Sequence, residues 1–303
     1  MKIAYLIDKD SVGGGMGYIR RQIAAHQDDE CRVFFSDRGE CTAAKMNTWG
    51  ADVVHVNHLK ALVQLFRNPF VKPRGKVVFT VHGIHLRKYG FLPKTLSNRV
   101  KRYLRLLLEK TLYRQCDRII ALTPTDAADI GKLYGEGLPV AIEPNAIDPS
   151  EIKNPEGDLK YGKGEFAFVS IARFDFQKGQ DILLRAIGIA SEKLRASAMR
   201  TLFVGAGPTF GAMKRLAESL GVSDLVEFAG EIPDAGAYMA CARTLVAPSR
   251  WEGLPYLLLE AEIRQQPVIA SDCPGNRDVA EHCPWCRLFR TDDPADLARL
   301  MAP

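Results

Sequence analysis

The sequence has no hydrophobic run long enough to cross a membrane. Its apolar stretches reach about nine residues, whereas a membrane-spanning helix needs about 20. The first residues, MKIAYLIDKD, become charged too early for a secretion signal. We therefore expect a cytoplasmic chain whose seven cysteines, an odd number, are reduced thiols.

Other signals are missing too. No short repeat or low-complexity tract interrupts the chain, and no aromatic-rich or helix-turn-helix pattern accompanies its basic residues, which argues against a nucleic-acid partner. The composition, with 47% hydrophobic and 25% charged residues, is ordinary for a globular protein. A chain of 303 residues is long enough for its core to split, so we expect two domains of about 150 residues each.

Short β-branched segments recur at intervals that leave room for a helix between them. This alternation predicts βαβ units and parallel sheets. The first half has six predicted strands, at Lys2–Ile7, Cys31–Ser36, Asp52–Val56, Lys76–Val81, Arg118–Leu122 and Val140–Glu143. The second half has six more, at Glu165–Ile171, Thr201–Val204, Leu225–Ala229, Thr244–Ala247, Pro267–Ala270 and Cys286–Phe289.

A segment rich in Pro, Gly, Asn and charge, Pro144–Gly164, separates the two sets of strands and is typical of a linker. We therefore predict an α/β protein of two Rossmann-like, doubly wound parallel-sheet domains, 1–148 and 149–303, whose sheets face a cleft. Ligands bind such sheets beyond the carboxyl ends of the strands, so candidate residues are sought there.

The loop after the first strand of the second domain, RFDFQKG, carries Arg173 and Lys178. An arginine fork and a lysine ammonium could clamp a diphosphate between them. Cations in a loop are more often solvated than functional, so this loop alone would be a weak signal.

The segment APSRWEGLPYLLLEA is the most specific part of the sequence. Pro255 is predicted in the first turn of a helix, where its missing N–H costs nothing and where neighbouring amide groups could hold a phosphate. Glu252 before the helix and Glu260 inside it could flank one ligand, because carboxylates accept hydrogen bonds from sugar hydroxyls. The backbone predicted to contact the phosphate belongs to Gly253, Leu254, Pro255 and Leu257.

Two segments of the first domain are weaker candidates. SVGGGMG, with Gly14 and Gly15, follows the first strand and could bring backbone amides close to an anion, although a plain flexible turn explains it as well. His82 follows the fourth strand and could donate a hydrogen bond to a sugar or polarise a leaving group. A satisfied structural histidine is the alternative.

Basic residues concentrate in the segment Arg87–Arg118. Between Leu86 and Arg118 there are ten Lys or Arg residues and two acidic ones, Glu109 and Asp117. Leucines recur there at helical spacing, which predicts a basic amphipathic helix. The segment is either the solvated face of a core helix or a docking surface for an anionic membrane or a phosphate-bearing acceptor.

A second cluster, EHCPWCRLF, places Cys283 and Cys286 beside His282. This spacing could ligate zinc or cycle between redox states. A closed zinc site needs a fourth ligand, for which only Cys273 is near in sequence, and Cys286 leads into a strand rather than a helix. We therefore favour bystander thiols and expect no bound metal.

Several of these motifs resemble a known family. RFDFQKG, APSRWEGLPYLLLEA and PVIASDCPGNRDV are similar to the Arg…Lys-Gly and Glu-x₇-Glu motifs of family-4 retaining glycosyltransferases, also described as glycosyl transferases group 1. VHG and EPNAID resemble that family's strand-end histidine and interdomain Pro-Asn segment. The resemblance covers nearly the whole second domain and implies the two-lobed GT-B fold.

The resemblance implies a role for each matching position. Arg173 and Lys178 would bind the donor diphosphate, Glu252 the transferred sugar, and Glu260 the ribose. His82 would lie near the sugar. The remaining binding positions that it implies are the Gly13–Gly15 turn, Asn145 at the domain junction, and the backbone from Gly230 to Ile232 beside the base.

On this basis the sequence predicts a retaining, metal-independent hexosyltransferase that uses a nucleotide sugar as substrate and needs no cofactor. A UDP-sugar is the favoured donor and GDP-mannose the next. The expected acceptor is a glycan or lipid-linked acceptor in cell-envelope polysaccharide synthesis, reached at the inner face of the membrane. The alternatives are a degenerate transferase-like partner subunit and a nucleotide-sugar epimerase on the same fold.

Overall fold

A computed structural model of the chain describes residues 1–10, 15–152 and 159–302. The chain divides into two compact units, Met1–Asn145 and Ala146–Pro303. We predicted the division after residue 148, so the two boundaries differ in the placement of residues 146–148. No helix in the described part of the chain is both long and apolar enough to span a membrane.

The first unit alternates strands and helices. Its elements are β1 (Lys2–Ile7), α1 (Gly15–Ala25), β2 (Glu30–Phe35), α2 (Ala43–Trp49), β3 (Val53–Val56), α3 (Leu59–Leu65), β4 (Lys76–Val81), α4 (Leu96–Tyr113), β5 (Arg118–Ala121), α5 (Pro124–Tyr134) and β6 (Val140–Ile142), with a 3₁₀ helix at His85–Gly90. The described strands form one parallel sheet in the order β2-β1-β3-β4-β5-β6.

Helices in the first unit begin at residues suited to capping. The Thr42, Thr95 and Thr123 hydroxyls each accept a hydrogen bond from a first-turn N–H of α2, α4 and α5. Such caps satisfy amides that have no partner within the helix. Apolar strand residues, among them Leu6 and Val54, are fully buried between the sheet and its helices.

The second unit has the same alternation. Its elements are β7 (Phe166–Ile171), α6 (Gln180–Ile189), α7 (Ser191–Ala196), β8 (Thr201–Val204), α8 (Phe210–Ser219), β9 (Val226–Gly230), β10 (Ala242–Ala247), α9 (Tyr256–Ile263), β11 (Val268–Ser271), α10 (Pro274–Ala280), β12 (Cys286–Phe289) and α11 (Pro294–Met301). Short 3₁₀ helices lie at Pro149–Glu151, Ser223–Leu225 and Ala235–Cys241. The described strands form a parallel sheet in the order β12-β11-β10-β7-β8-β9.

A hydrophobic core covers each face of the second sheet. One includes Leu183 of α6 and Phe203 of β8, and the other includes Val169 of β7 and Leu258 of α9. Strands buried on both faces explain why the β-branched runs of the sequence are continuous rather than alternating. All twelve predicted strands are present, with ends shifted by at most two residues, so the predicted α/β fold is confirmed.

Candidate functional site

Two loops meet at the carboxyl edge of the second sheet because β7 and β10 are hydrogen-bonded neighbours. The backbone N–H of Arg250 donates to the Gln177 carbonyl at 2.7 Å. Gly179 has φ +67°, and a Cβ placed there would lie 2.0 Å from the Pro248 carbonyl oxygen. Only glycine permits this approach, so the Lys178–Gly179 turn is held against the loop that carries Glu252.

Lys178 and Glu252 form an ion pair across these two loops. The Lys178 Nζ lies 2.5 Å from Glu252 Oε1. The Glu252 side chain is only 9% exposed, whereas that of Lys178 is 27% exposed. Gln177 Nε2 fixes the same loop by donating to the Trp251 carbonyl at 2.8 Å. The structure therefore brings a predicted phosphate-binding cation and a predicted sugar-binding carboxylate into direct contact.

Arg173 lies on the same loop as Lys178. Its guanidinium is largely exposed and pairs with Asp175. The other Asp175 oxygen accepts hydrogen bonds from the backbone N–H groups of Gln177 at 3.0 Å and Lys178 at 3.3 Å. Asp175 thus orders the turn between the two cations, a role that we did not predict from the sequence.

Arg250 is a buried cation in the loop after β10 that also bonds to the loop after β7. It is 6% exposed, and it contacts Asp181 at 2.7 Å, Asp292 at 2.9 Å and the Phe176 carbonyl at 2.8 Å. Burial works to lower the pKa of Arg250, but its hydrogen bonds to the two carboxylates more than offset burial and raise the pKa. Arg250 therefore remains charged and positions both loops.

Glu260 lies in α9, where Arg264 Nη2 contacts its Oε1 at 3.0 Å. The carboxylate lies against the Ala235–Cys241 helix, and a Cβ at Gly236 would be 2.4 Å from Glu260 Oε1. A glycine at position 236 therefore leaves room for the carboxylate, which keeps 22% of its side chain exposed.

Helix α9 begins one residue later than predicted. Pro255 is its N-cap, with ψ 120°, and does not lie inside the first turn. Its carbonyl accepts hydrogen bonds from the N–H groups of Leu258 and Leu259, at 3.1 and 3.4 Å. Leu254 and Leu257 are half-buried beside it. Gly253 is buried, and its carbonyl lies so close to α10 that a Cβ at Gly275 would be 1.4 Å from it.

Glycines at the carboxyl ends of β8 and β9 lie beside the loop that carries Arg173. The Gly205 N–H donates to the Gly230 carbonyl at 2.7 Å. A Cβ at Gly205 or at Gly207 would lie 2.1 or 2.4 Å from the backbone oxygen of Ala172 or Phe174. We missed the VGAGP loop in the sequence, although glycines directly after a strand signal a close backbone approach. Ile232, further along, packs into the apolar core.

In the first unit, His82 follows β4 as predicted and lies beside Asn57, in the loop after β3, and Tyr18 of α1. Its Nε2 is 3.1 Å from Asn57 Oδ1, and its ring lies 4.9 Å from the ring of Tyr18. A Cβ at Gly15 would be 4.0 Å from the Asn57 carbonyl oxygen. Gly14 lies outside the described residues. We did not predict Asn57, which follows β3.

Burial, reinforced by the neighbouring His58, lowers the pKa of His82 to about 4. Burial also lowers the pKa of His55, whose Nε2 lies 2.7 Å from Thr80 Oγ1, to about 3. Both rings are therefore neutral near pH 7. A neutral His82 can donate or accept one hydrogen bond, but it is not a cation in that range.

Two other predicted features are Asn145 and the cysteine pair Cys283 and Cys286. Asn145 is buried at the end of the first unit. Cys283 is buried, and burial raises the pKa of Cys286 to about 12, so that thiol stays protonated. Among the described residues, no group of three His, Cys, Asp or Glu side chains is placed to hold a metal ion.

Two family models match the chain. "Glycosyl transferases group 1" matches residues 165–302, and "Glycosyltransferase Family 4" matches residues 31–151. A D-inositol 3-phosphate glycosyltransferase of Streptosporangium roseum is 27% identical over 240 residues, or 73% of this chain and 55% of the relative. A GDP-mannose-dependent alpha-(1-6)-phosphatidylinositol monomannoside mannosyltransferase of Mycobacterium tuberculosis is 29% identical, over 48% of this chain and 40% of the relative. The chain thus spans about half the length of these relatives.

Solved structures show the same fold. A sucrose-phosphate synthase from Thermosynechococcus elongatus matches with a TM-score of 0.79 and 19% identity, over 98% of this chain and 88% of that one. Anabaena Alr3699/HepE in complex with UDP and glucose matches with a TM-score of 0.78 and 19% identity, over 99% and 89%. The fold is GT-B. With both family models matched, the chain belongs to the family-4 glycosyltransferases.

Proposed function

We propose that the carboxyl edge of the second sheet binds a nucleotide-diphosphate sugar and that the protein transfers its hexose with retention of configuration. The observation that carries this proposal is the contact of 2.5 Å between Lys178 and Glu252, on a loop that also presents Arg173. A cation beside a carboxylate suits a ligand in which a phosphate is joined directly to a sugar.

Each side chain has a proposed role. Arg173 and Lys178 stabilise the charge that develops on the leaving diphosphate, with the first turn of α9 as a further anion partner. Glu252 accepts hydrogen bonds from the transferred hexose and Glu260 from the ribose. In the first unit, neutral His82 is a hydrogen-bonding partner for a sugar hydroxyl. Two cations and a helix N-terminus supply the positive charge, so we propose that transfer needs no metal.

The proposed reaction exchanges one bond for another. The bond between the anomeric carbon and the phosphate oxygen breaks, and the acceptor oxygen bonds to the anomeric carbon on the same face. The acceptor's hydroxyl proton leaves with the nucleoside diphosphate. A UDP-sugar is the favoured donor, in line with the UDP and glucose bound to Alr3699/HepE. GDP-mannose is next, because a matched relative is named as GDP-mannose-dependent.

A panel of UDP-, GDP- and ADP-sugars tests this proposal. We expect slow hydrolysis of one donor, at a rate that a chelator does not change. The released sugar should have the donor's anomeric configuration when NMR first detects it. Release of the opposite anomer would contradict retention. Absence of turnover with every donor, together with intact nucleotide binding, would favour the degenerate partner subunit.

We further propose that the acceptor is a glycan or a lipid-linked acceptor and that the first unit meets it at the inner membrane surface. Exposed apolar side chains on α4 support this part of the proposal, because a helix that merely covered a core would bury its leucines. Leu104 is 59% exposed and Leu107 43% exposed. The core-facing side of α4 is formed by other residues, among them Leu106, Glu109, Leu112 and Tyr113.

A further inference from the structure

A cavity of about 480 Å³ lies under the start of α4, between that helix, the His85–Gly90 helix and α5. Its lining is strongly basic, with five cations and one carboxylate. These charged residues are Arg87, Lys94, Arg99, Arg102, Asp129 and Lys132. Because Lys132 comes from α5, folding brings together charge that is distant in sequence.

Most of this positive charge is uncompensated. Arg87 pairs with Asp126 and Asp129, each at 2.7 Å, so the one carboxylate of the lining is already engaged. Over the residues that the structure describes, Lys94, Arg99, Arg102 and Lys132 make no ion pair. Several unpaired cations around one cavity repel one another, and an anion placed among them would relieve that repulsion.

The outer side of α4 next to this cavity is apolar. Leu96, Val100, Tyr103 and Leu107 recur at intervals of three or four residues, so they share one face of the helix. Leu96 is 77% exposed and Tyr103 60% exposed. Arg99 lines the cavity, and because it is three residues after Leu96 and four before Tyr103 it neighbours both on the helix surface. The cavity therefore lies beside a surface suited to acyl chains.

We propose that this cavity binds the phosphate group of an anionic membrane lipid while the apolar face of α4 lies against the bilayer. Arginine forks and lysine ammonium groups give charge-assisted hydrogen bonds to phosphate oxygens, and these are stronger than diffuse attraction to a charged surface. The inference rests on the membrane association proposed above and adds a defined headgroup site to it.

Two charge-matched double variants test the site. Arg102→Ala with Lys132→Ala removes two cavity cations. Lys88→Ala with Lys101→Ala removes two exposed cations of the same region that do not line the cavity. Sedimentation with phosphatidylcholine vesicles, with and without phosphatidic acid, measures binding. Diffuse attraction to an anionic surface contributes about 1 kcal/mol per basic residue. Its loss therefore weakens the vesicle binding of both variants by the same amount.

We expect the cavity variant to bind phosphatidic acid vesicles about tenfold more weakly than the control variant, because it also loses direct bonds to phosphate. Equal loss in both variants would overturn the headgroup site and leave membrane association standing. No binding of the wild-type chain to any vesicle would overturn both. UDP binding, measured on the same preparations, reports separately on the donor site.

Glycerol phosphate distinguishes a lipid from a soluble phosphate compound. It carries the headgroup without acyl chains, so we expect it to bind about tenfold or more weakly than the vesicles, since buried CH₂ groups contribute to lipid binding. Equal affinity would show that the occupant is soluble and would overturn the lipid assignment.

Discussion

At the scale of single residues, the candidate donor site depends on charges that already contact each other. Lys178 and Glu252 lie 2.5 Å apart, and Arg264 lies 3.0 Å from Glu260. Each carboxylate keeps acceptor capacity beyond its ion pair, because an ionised carboxylate has about four lone-pair sites. A ligand can therefore bind these groups without displacing their partners.

Glu260 is the residue that we expect to contact the ribose. Glu260→Gln keeps the volume of the side chain but removes the charged acceptor, and a hydrogen bond to a charged group is worth about 1.5–3 kcal/mol. Calorimetry with UDP should show a dissociation constant raised about tenfold or more. Glu262→Gln, two residues further along α9, is the matched control. Equal affinities in both variants would remove Glu260 from the site.

At the scale of elements, glycines set how closely the loops approach. Gly179 and Gly205 have positive φ and lie against backbone oxygens of neighbouring loops. Arg250 holds the same loops by bonding to a carbonyl and to two carboxylates. The loops after β7 and β10 thus form one unit, and a change in either should move Lys178 relative to Glu252.

Gly179→Ala should destabilise the protein and weaken UDP binding, because its Cβ would meet the Pro248 oxygen at 2.0 Å. Strain of this kind typically costs about 1–3 kcal/mol. Gly188→Ala in α6 is the control, since the atoms nearest its Cβ would be Leu220 side-chain atoms at 3.7–3.8 Å, an ordinary contact distance. Thermal unfolding should separate the two variants. Equal melting temperatures would show that the loop adapts without strain.

The sequence predicted the elements better than the contacts between them. Strand positions follow from runs of buried β-branched residues, and Arg173, Lys178 and Glu252 could be found because each lies in a loop that follows a strand. Contacts between distant loops left no comparable pattern. His82 and Asn57 are 25 residues apart in sequence. The start of α9 was misplaced because proline suits both the N-cap region and the first turn.

At the scale of the whole molecule, two histidines that stay neutral in the folded protein make its stability depend on pH. Burial lowers the pKa of His55 to about 3 and that of His82 to about 4, from the ordinary value of 6.5. Below pH 6.5 the unfolded chain takes up protons that the folded chain does not. Stability is therefore full above that pH and declines as the pH falls towards 4.

We expect the free energy of unfolding to fall by up to about 1.4 kcal/mol per pH unit for each such histidine in this window. Urea titrations at a series of pH values measure the slope. His55→Gln should make the slope shallower, because one titrating group is gone. Parallel slopes for variant and wild type would show that His55 protonates equally in both states.

The most direct test of the account is UDP calorimetry on Lys178→Ala beside Lys163→Ala. Lys163 is an exposed lysine of the same unit that precedes β7, at the opposite edge of the sheet from Lys178. We predict that wild type and Lys163→Ala bind UDP equally and that Lys178→Ala binds it at least about tenfold more weakly, since a charged hydrogen bond to phosphate is lost. Undiminished UDP binding by Lys178→Ala would contradict a donor site at the carboxyl edge of the second sheet.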